Sequence, residues 1–293
     1  MRFSGSIVAI VTPWTRDLAG IDYAALKDLV EWHIASGTDG ILPAGTTGES
    51  PTLTHKEHGE LITRIVEFAK GRCQVVAGAG SNSTQESLSL ARHAKEVGAD
   101  AVMAITPYYN RPTPEGLYRH FATLAESCDL PTMIYNIPSR TGVNMLPDTI
   151  ARVNRDYPHV CAVKEASGSI DQTSQLVAMT KMDVMSGDDS LALPVMSVGG
   201  TGVVSVIANI APAETKALAA AALAGDYVKA REWHHKLLPL MKACFVETNP
   251  GPVKAALRLM GKCDGTMRLP MVEPKPESEK TIMDALRKVG LVD

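Results

Sequence analysis

His159-Val160-Cys161-Ala162-Val163-Lys164-Glu165-Ala166-Ser167-Gly168 reads as a buried strand carrying one residue out of place. Apolar and β-branched residues run from Val160 to Val163, Tyr157-Pro158 precedes them, and Gly168 closes the stretch. Lys164 interrupts the run near its C-terminal end. An ammonium without a partner is costly to bury, so most lysines stay in water. The other fourteen lysines fall in polar, helix-like or loop segments, as at Lys27, Lys56 or Lys254. Two readings fit Lys164. It pairs with a buried carboxylate or reaches solvent from the strand end; or its pKa is depressed, leaving it neutral often enough to attack a carbonyl and form a Schiff base.

Outward from this strand, short apolar runs alternate with helical patterns along the whole chain. Strands are expected at 6–12, 40–44, 73–79, 101–106, 131–137, 160–166, 183–187 and 202–207. Helices are expected near 22–36, 54–70, 83–97, 115–128, 146–156, 170–181 and 188–198. About eight strands separated by helices imply an all-parallel sheet of the α/β class, and eight such units close into a (β/α)8 TIM barrel. An open doubly wound sheet is the competitor, but no GxGxxG follows the first strand. Thr54-x-x-Glu57 and Ser83-x-x-Glu86 predict capping boxes at two helix starts. Residues 211–244 are Ala- and Leu-rich and helical, with a break near Gly225-Asp226. Asn249-Pro250-Gly251-Pro252 reads as a stop, followed by helical patterns at 253–260 and 277–289. The expected division is a barrel over 1–224 and a C-terminal helical extension over 225–293.

Composition agrees with one large barrel. A chain of 293 residues suits a barrel with a small extension, and 45% hydrophobic against 21% charged residues supplies a large core and argues against disorder. The net charge is -3 and no polybasic run occurs, so nucleic acid and anionic membrane are not expected as partners. Cys73, Cys128, Cys161, Cys244 and Cys263 show no CxxC pairing and read as reduced thiols. No signal peptide precedes the first strand and no apolar run is long enough to span a bilayer, so the expectation is a soluble cytoplasmic protein.

In a TIM barrel the active-site residues lie at the C-terminal strand ends and in the loops beyond them. The second strand ends in Gly45-Thr46-Thr47-Gly48-Glu49-Ser50, whose small residues and hydroxyls suit an anion such as a carboxylate. The fourth ends in Thr106-Pro107-Tyr108-Tyr109-Asn110-Arg111-Pro112 and the fifth in Tyr135-Asn136-Ile137-Pro138-Ser139-Arg140-Thr141-Gly142. The sixth ends in Lys164, and Gly199-Gly200-Thr201-Gly202-Val203-Val204 stands near the eighth. Taken singly, each has an ordinary explanation: a turn, packed tyrosines, a solvated arginine. Their common placement on one barrel face favours a site.

Five motifs in order, GTTGES, TPYYNRP, YNIPSRTG, VKEASG and the SGDD of Ser186-Gly187-Asp188-Asp189, resemble the dihydrodipicolinate synthase family of class I pyruvate-dependent aldolases. The resemblance covers the whole chain, extension included. It implies a TIM barrel that condenses pyruvate with aspartate semialdehyde on the lysine-biosynthesis branch, with no metal or organic cofactor. By resemblance, Lys164 forms the imine with pyruvate, and Tyr135, Thr46 and Tyr109 form a proton relay. Thr47 binds the pyruvate carboxylate, helped by backbone near Val204, and Gly187 and Arg140 complete the substrate site. Tyr109 reaches into a neighbouring subunit's site, so the resemblance implies a dimer at least and usually a dimer of dimers. Family members that respond to L-lysine bind it at the tight dimer interface. The corresponding residues here are Ser50, His55, His58, Asn82, Glu86 and Tyr108. Glu86 would take the α-ammonium, Asn82 and Tyr108 the carboxylate, and His55 with Ser50 the tail. Pro51 departs from inhibited relatives in which a small residue stands at that position.

Three alternatives compete. An N-acetylneuraminate lyase or a keto-deoxy sugar-acid aldolase uses the same imine with another aldehyde. Arg140, suited to a second carboxylate, and Gly-Thr-Thr-Gly in place of Gly-Ser-Thr-Gly favour the synthase. A catalytically dead keto-acid sensor would lack the lysine or the tyrosine relay, and both are present. A pyridoxal-phosphate enzyme would need a phosphate cup, and the sequence offers none that convinces.

Overall fold

The computed structural model describes residues 3–293; the first two residues of the expected barrel range lie outside them. Eight parallel strands close into a barrel in chain order: β1 Gly5–Ala9, β2 Gly40–Leu42, β3 Gln74–Gly78, β4 Ala101–Ile105, β5 Thr132–Asn136, β6 Val160–Glu165, β7 Asp183–Ser186 and β8 Gly202–Ser205. The helices are α1 Tyr23–Ala35, α2 His55–Ala69, α3 Thr84–Glu96, α4 Pro114–Ser127, α5 Pro138–Thr141, α6 Pro147–Asp156, α7 Ile170–Met179, α8 Ala192–Ser197, α9 Pro212–Leu223, α10 Tyr227–Ala243, α11 Gly251–Leu259 and α12 Pro276–Val289. Among the described residues, no helix is long and apolar enough to cross a membrane.

The strand period of two turns side chains alternately into the barrel and out toward the helices. Ile7, Leu42, Val76, Met103, Met133, Ala162, Met185 and Val204 fill the barrel interior. Their strand neighbours Val102, Ile134, Val163 and Val184 face outward onto α3, α4 and α6. Lys164 shares the inward parity of Ala162 and Ala166, while Glu165 turns outward. There Glu165 accepts hydrogen bonds from Ser167 N (2.7 Å), Asn136 Nδ2 (3.2 Å) and Gln172 Nε2 (3.2 Å). The lysine is thus directed into the barrel by alternation alone.

Three local expectations need correction. The helix expected near 188–198 begins only at Ala192, after a tight turn over Asp189–Leu191. The loop after β5 contains a one-turn helix, α5, opened by Pro138 and closed by Gly142 in the left-handed region (φ 75). Asn249-Pro250-Gly251-Pro252 is a start as well as a stop. Pro252 stands in the first turn of α11, where a missing N–H leaves nothing unpaired.

The capping boxes also differ. Thr54 and Glu57 cap α2 reciprocally. At α3 only Ser83 caps, through Glu86 N, because the Glu86 carboxylate is taken by Ser81 Oγ and by His55 Nε2, 2.5 Å away.

Candidate active site

Lys164 lies at the C-terminal end of β6, in register with Tyr135 on β5 and Met185 on β7. It is 5% exposed. Among the described residues it makes no ion pair, which removes the expectation of a simple partnered lysine. Its Nζ sits 4.1 Å from the Tyr135 ring centroid. Burial pulls the pKa down to about 8; Asp189 and Asp188 oppose that shift and the Arg140 guanidinium adds to it. At pH 7 roughly one such lysine in ten is neutral, against about one in a few thousand for a free side chain. The amine is therefore available as a nucleophile.

Gly187 keeps the space beside it open. A Cβ there would lie 2.6 Å from Ala166 Cβ and 3.3 Å from Lys164 Cε. Tyr135 is buried, and burial pushes its phenol far above the ordinary range; the Arg140 charge and the Thr46 hydroxyl act in the opposite direction. The phenol stays protonated, fit to hand a proton on rather than to act as a standing base. Thr46 is half-buried at the rim and Thr47 is buried behind it, accepting from Asn249 Nδ2 at 3.0 Å. Arg140 stands exposed on α5 and donates to the Asn249 carbonyl (3.2 Å). Val204 is buried in the barrel interior, in the cluster that holds Tyr135 and Ala166.

Asp189, quoted in the sequence only as part of a motif, proves structural. It accepts from Ser205 Oγ (2.5 Å), Val206 N (3.0 Å) and Ile207 N (3.1 Å), fixing the exit of β8. Asn249 was not foreseen. It sits in a proline-rich segment more than a hundred residues from either partner, so no local pattern signals it. Lys254, grouped in the sequence with lysines of polar, helix-like or loop segments, is instead fully buried against Glu49. Its place in a helical pattern gives no local sign of that burial.

Tyr109 does not line this site. It is 91% exposed and held in the left-handed region at φ 69, which is unusual for an aromatic residue. Most of the residues expected to hold lysine gather beside the same site. Ser50, His55, His58, Glu86 and Tyr108 line a cavity of about 450 Å³ that continues to Thr46, Tyr135 and Arg140. His58 is buried with its Nδ1 unpartnered, and burial lowers its pKa to about 4. Asn82 stands outside this lining; its carbonyl accepts from Asn110 Nδ2 (2.9 Å). Among the described residues no cluster of three or more His, Cys, Asp or Glu could hold a metal ion.

A buried, unpaired lysine at a barrel strand end defines a chemistry; the family comes from comparison. The model described as the dihydrodipicolinate synthetase family matches residues 2–289. The chain belongs to this family. The 4-hydroxy-tetrahydrodipicolinate synthase of Oleidesulfovibrio alaskensis is 49% identical over 294 residues, covering 100% of both chains. That of Methanocaldococcus jannaschii is 48% identical, over 99% of this chain and 100% of its own. The dihydrodipicolinate synthase of Aquifex aeolicus superposes with a TM-score of 0.97 at 47% identity, over 99% of each chain. Two further dihydrodipicolinate synthase structures contain small molecules. The Acinetobacter baumannii enzyme, complexed with pyruvate, has a TM-score of 0.96 at 43% identity over 99% of each chain. The Cyanidioschyzon merolae enzyme, with lysine bound, has a TM-score of 0.96 at 38% identity over 99% of each chain.

Proposed function

We propose that this dihydrodipicolinate synthetase family member is a 4-hydroxy-tetrahydrodipicolinate synthase, a lyase-type enzyme that condenses pyruvate with L-aspartate 4-semialdehyde in lysine biosynthesis. The carrying observation is Lys164, inward, unpaired and lowered to a pKa of about 8. Its neutral amine attacks the keto carbon of pyruvate, and the carbinolamine loses water to give the imine. The imine acidifies the methyl group, which gives up a proton to form an enamine, and the enamine carbon attacks the aldehyde. The semialdehyde's own amine then closes the ring onto the imine carbon and releases Lys164. Each stage moves a proton. Tyr135, with Thr46 beside it and Tyr109 supplied by a neighbouring subunit, forms the route.

Thr47 and the backbone near Val204 take the pyruvate carboxylate, with Gly187 leaving room for the adduct. Arg140 takes the carboxylate of the semialdehyde by charge-assisted hydrogen bonds. No metal or organic cofactor enters this sequence of steps. The names of the full-length relatives support the synthase over a sialate lyase or sugar-acid aldolase, and over a binding-only sensor.

The enzyme acts as a homo-oligomer, a dimer of dimers, in the cytoplasm, where its five free thiols stay reduced. L-Lysine is an effector at the cavity lined by Ser50, His55, His58, Glu86 and Tyr108, with Asn82 outside the lining. A coupled assay with pyruvate, aspartate semialdehyde and the downstream reductase tests the activity, run beside a sialate-cleavage assay. Turnover only in the first supports the synthase; turnover only in the second overturns it.

A further inference from the structure

Glu49 and Lys254 take no part in the steps above, yet they form an ion pair closed to solvent. Lys254 Nζ lies 2.6 Å from Glu49 Oε1, and the two side chains are 0% and 1% exposed. The surrounding donors and acceptors are matched. Lys254 Nζ also donates to the Thr12 carbonyl (2.8 Å). Trp14 Nε1 donates to Glu49 Oε1 (3.0 Å), and Arg268 N to Glu49 Oε2 (3.2 Å). Desolvating two charges costs about as much as their attraction returns, so apolar side chains of the same volume would pack the place equally well. What a hydrogen-bonded ion pair adds to packing is direction.

That direction leads to the substrate anchors from both sides. Glu49 follows Thr47 by two residues and holds a left-handed backbone (φ 56) at the end of the turn. Thr12 clamps the same turn, its hydroxyl donating to the Gly48 carbonyl at 2.7 Å while its own carbonyl accepts from Lys254. On the other side, Lys254 stands on the first turn of α11, just beyond Asn249. Asn249 donates to Thr47 Oγ1 and accepts from Arg140. One segment of the C-terminal extension therefore touches both expected carboxylate anchors, and the buried pair locks that segment to the turn.

We propose that Glu49 and Lys254 are positioning residues whose pair fixes the Thr47 hydroxyl, and through Asn249 the Arg140 guanidinium, relative to Lys164. This rests on the assignment of Thr47 and Arg140 as carboxylate anchors.

The test compares wild type, Lys254→Met, the neutral double variant Glu49→Gln/Lys254→Met and Glu49→Asp, each well below its unfolding midpoint. Two quantities are read: the pyruvate concentration giving half-maximal borohydride trapping, and the steady-state KM for each substrate. Lys254→Met and the double variant should need about 10- to 100-fold more pyruvate, the scale of loss from a misplaced contact outside the chemistry. The double variant should recover stability over Lys254→Met without recovering that affinity. Glu49→Asp keeps the charge and shortens the reach by one methylene, and decides the matter where the others do not fold. Its KM for pyruvate should also rise. Trapping of the wild type at Lys164 is the control that separates this proposal from the site assignment. With the wild type trapped, folded variants whose midpoints fall while trapping and both KM values stay at wild-type levels would overturn the positioning role.

Discussion

The pKa of Lys164, lowered from 10.5 to about 8 by burial, bears on stability as well as reactivity. The unfolded chain keeps the ordinary value and so binds more protons between the two. The penalty is complete below about pH 8 and fades as pH rises toward 10.5. At pH 7 it amounts to ~3 kcal/mol. Lys164→Met should therefore abolish activity and raise the unfolding midpoint at pH 7, with the gain shrinking at higher pH. Thermal unfolding at several pH values checks this; a variant less stable than wild type at pH 7 would contradict it. Lys164 was legible in the sequence because a strand pattern makes a lysine conspicuous. Lys254 was not, because a lysine in a helical pattern is ordinarily solvated. Its partner Glu49 stands 205 residues away, beyond any local pattern.

At the scale of elements, the strands were legible from apolar runs, although each came out shorter than expected because strand ends merge into the site loops. Helix α5 was missed since four residues carry no periodicity. It matters because it carries Arg140, whose guanidinium donates to the Asn249 carbonyl two residues before α11. Arg140→Ala should lower kcat/KM for aspartate semialdehyde by roughly 10²-fold, the loss of a charge-assisted contact, while leaving trapping with pyruvate nearly unchanged. Steady-state kinetics beside single-turnover trapping separates the two. An equal loss in both would make Arg140 a structural residue. The Glu86 carboxylate shows a second limit of sequence reading. Its spacing from Ser83 predicts a capping box, but His55 and Ser81, brought near by the packing of α2 against α3, claim it instead.

At the scale of the whole molecule, Leu237 and Leu240 of α10, Val253 and Leu257 of α11, and Ile282 and Leu286 of α12 share one core with Val8 and Ile41 of the barrel. We propose that the boundary at 224/225 is topological and that the extension does not fold apart from the barrel. We propose that Tyr109, exposed and left-handed, reaches into a second subunit's site. Mixing inactive Tyr109→Phe with inactive Lys164→Ala subunits should restore roughly a quarter of wild-type activity, because half of the random dimers are hybrids with one complete site in two. No recovery, with subunit exchange demonstrated, would confine Tyr109 to its own subunit. We propose that lysine bound in the cavity lined by Glu86 and Tyr108 acts on catalysis through Tyr135, which lines the same cavity. Calorimetry should detect lysine binding that Glu86→Ala removes while uninhibited turnover persists, with a coupling to catalysis of ~1–3 kcal/mol. Absence of both binding and inhibition in the wild type would leave that cavity an interface only.

The central claim is covalent chemistry at Lys164. Borohydride added with pyruvate should inactivate the enzyme and add the mass of one reduced pyruvate adduct to the peptide containing Lys164. Lys164→Arg should not be trapped, since a guanidinium stays protonated at any workable pH. An adduct on a different lysine, or full activity after complete reduction in the presence of pyruvate, would contradict it.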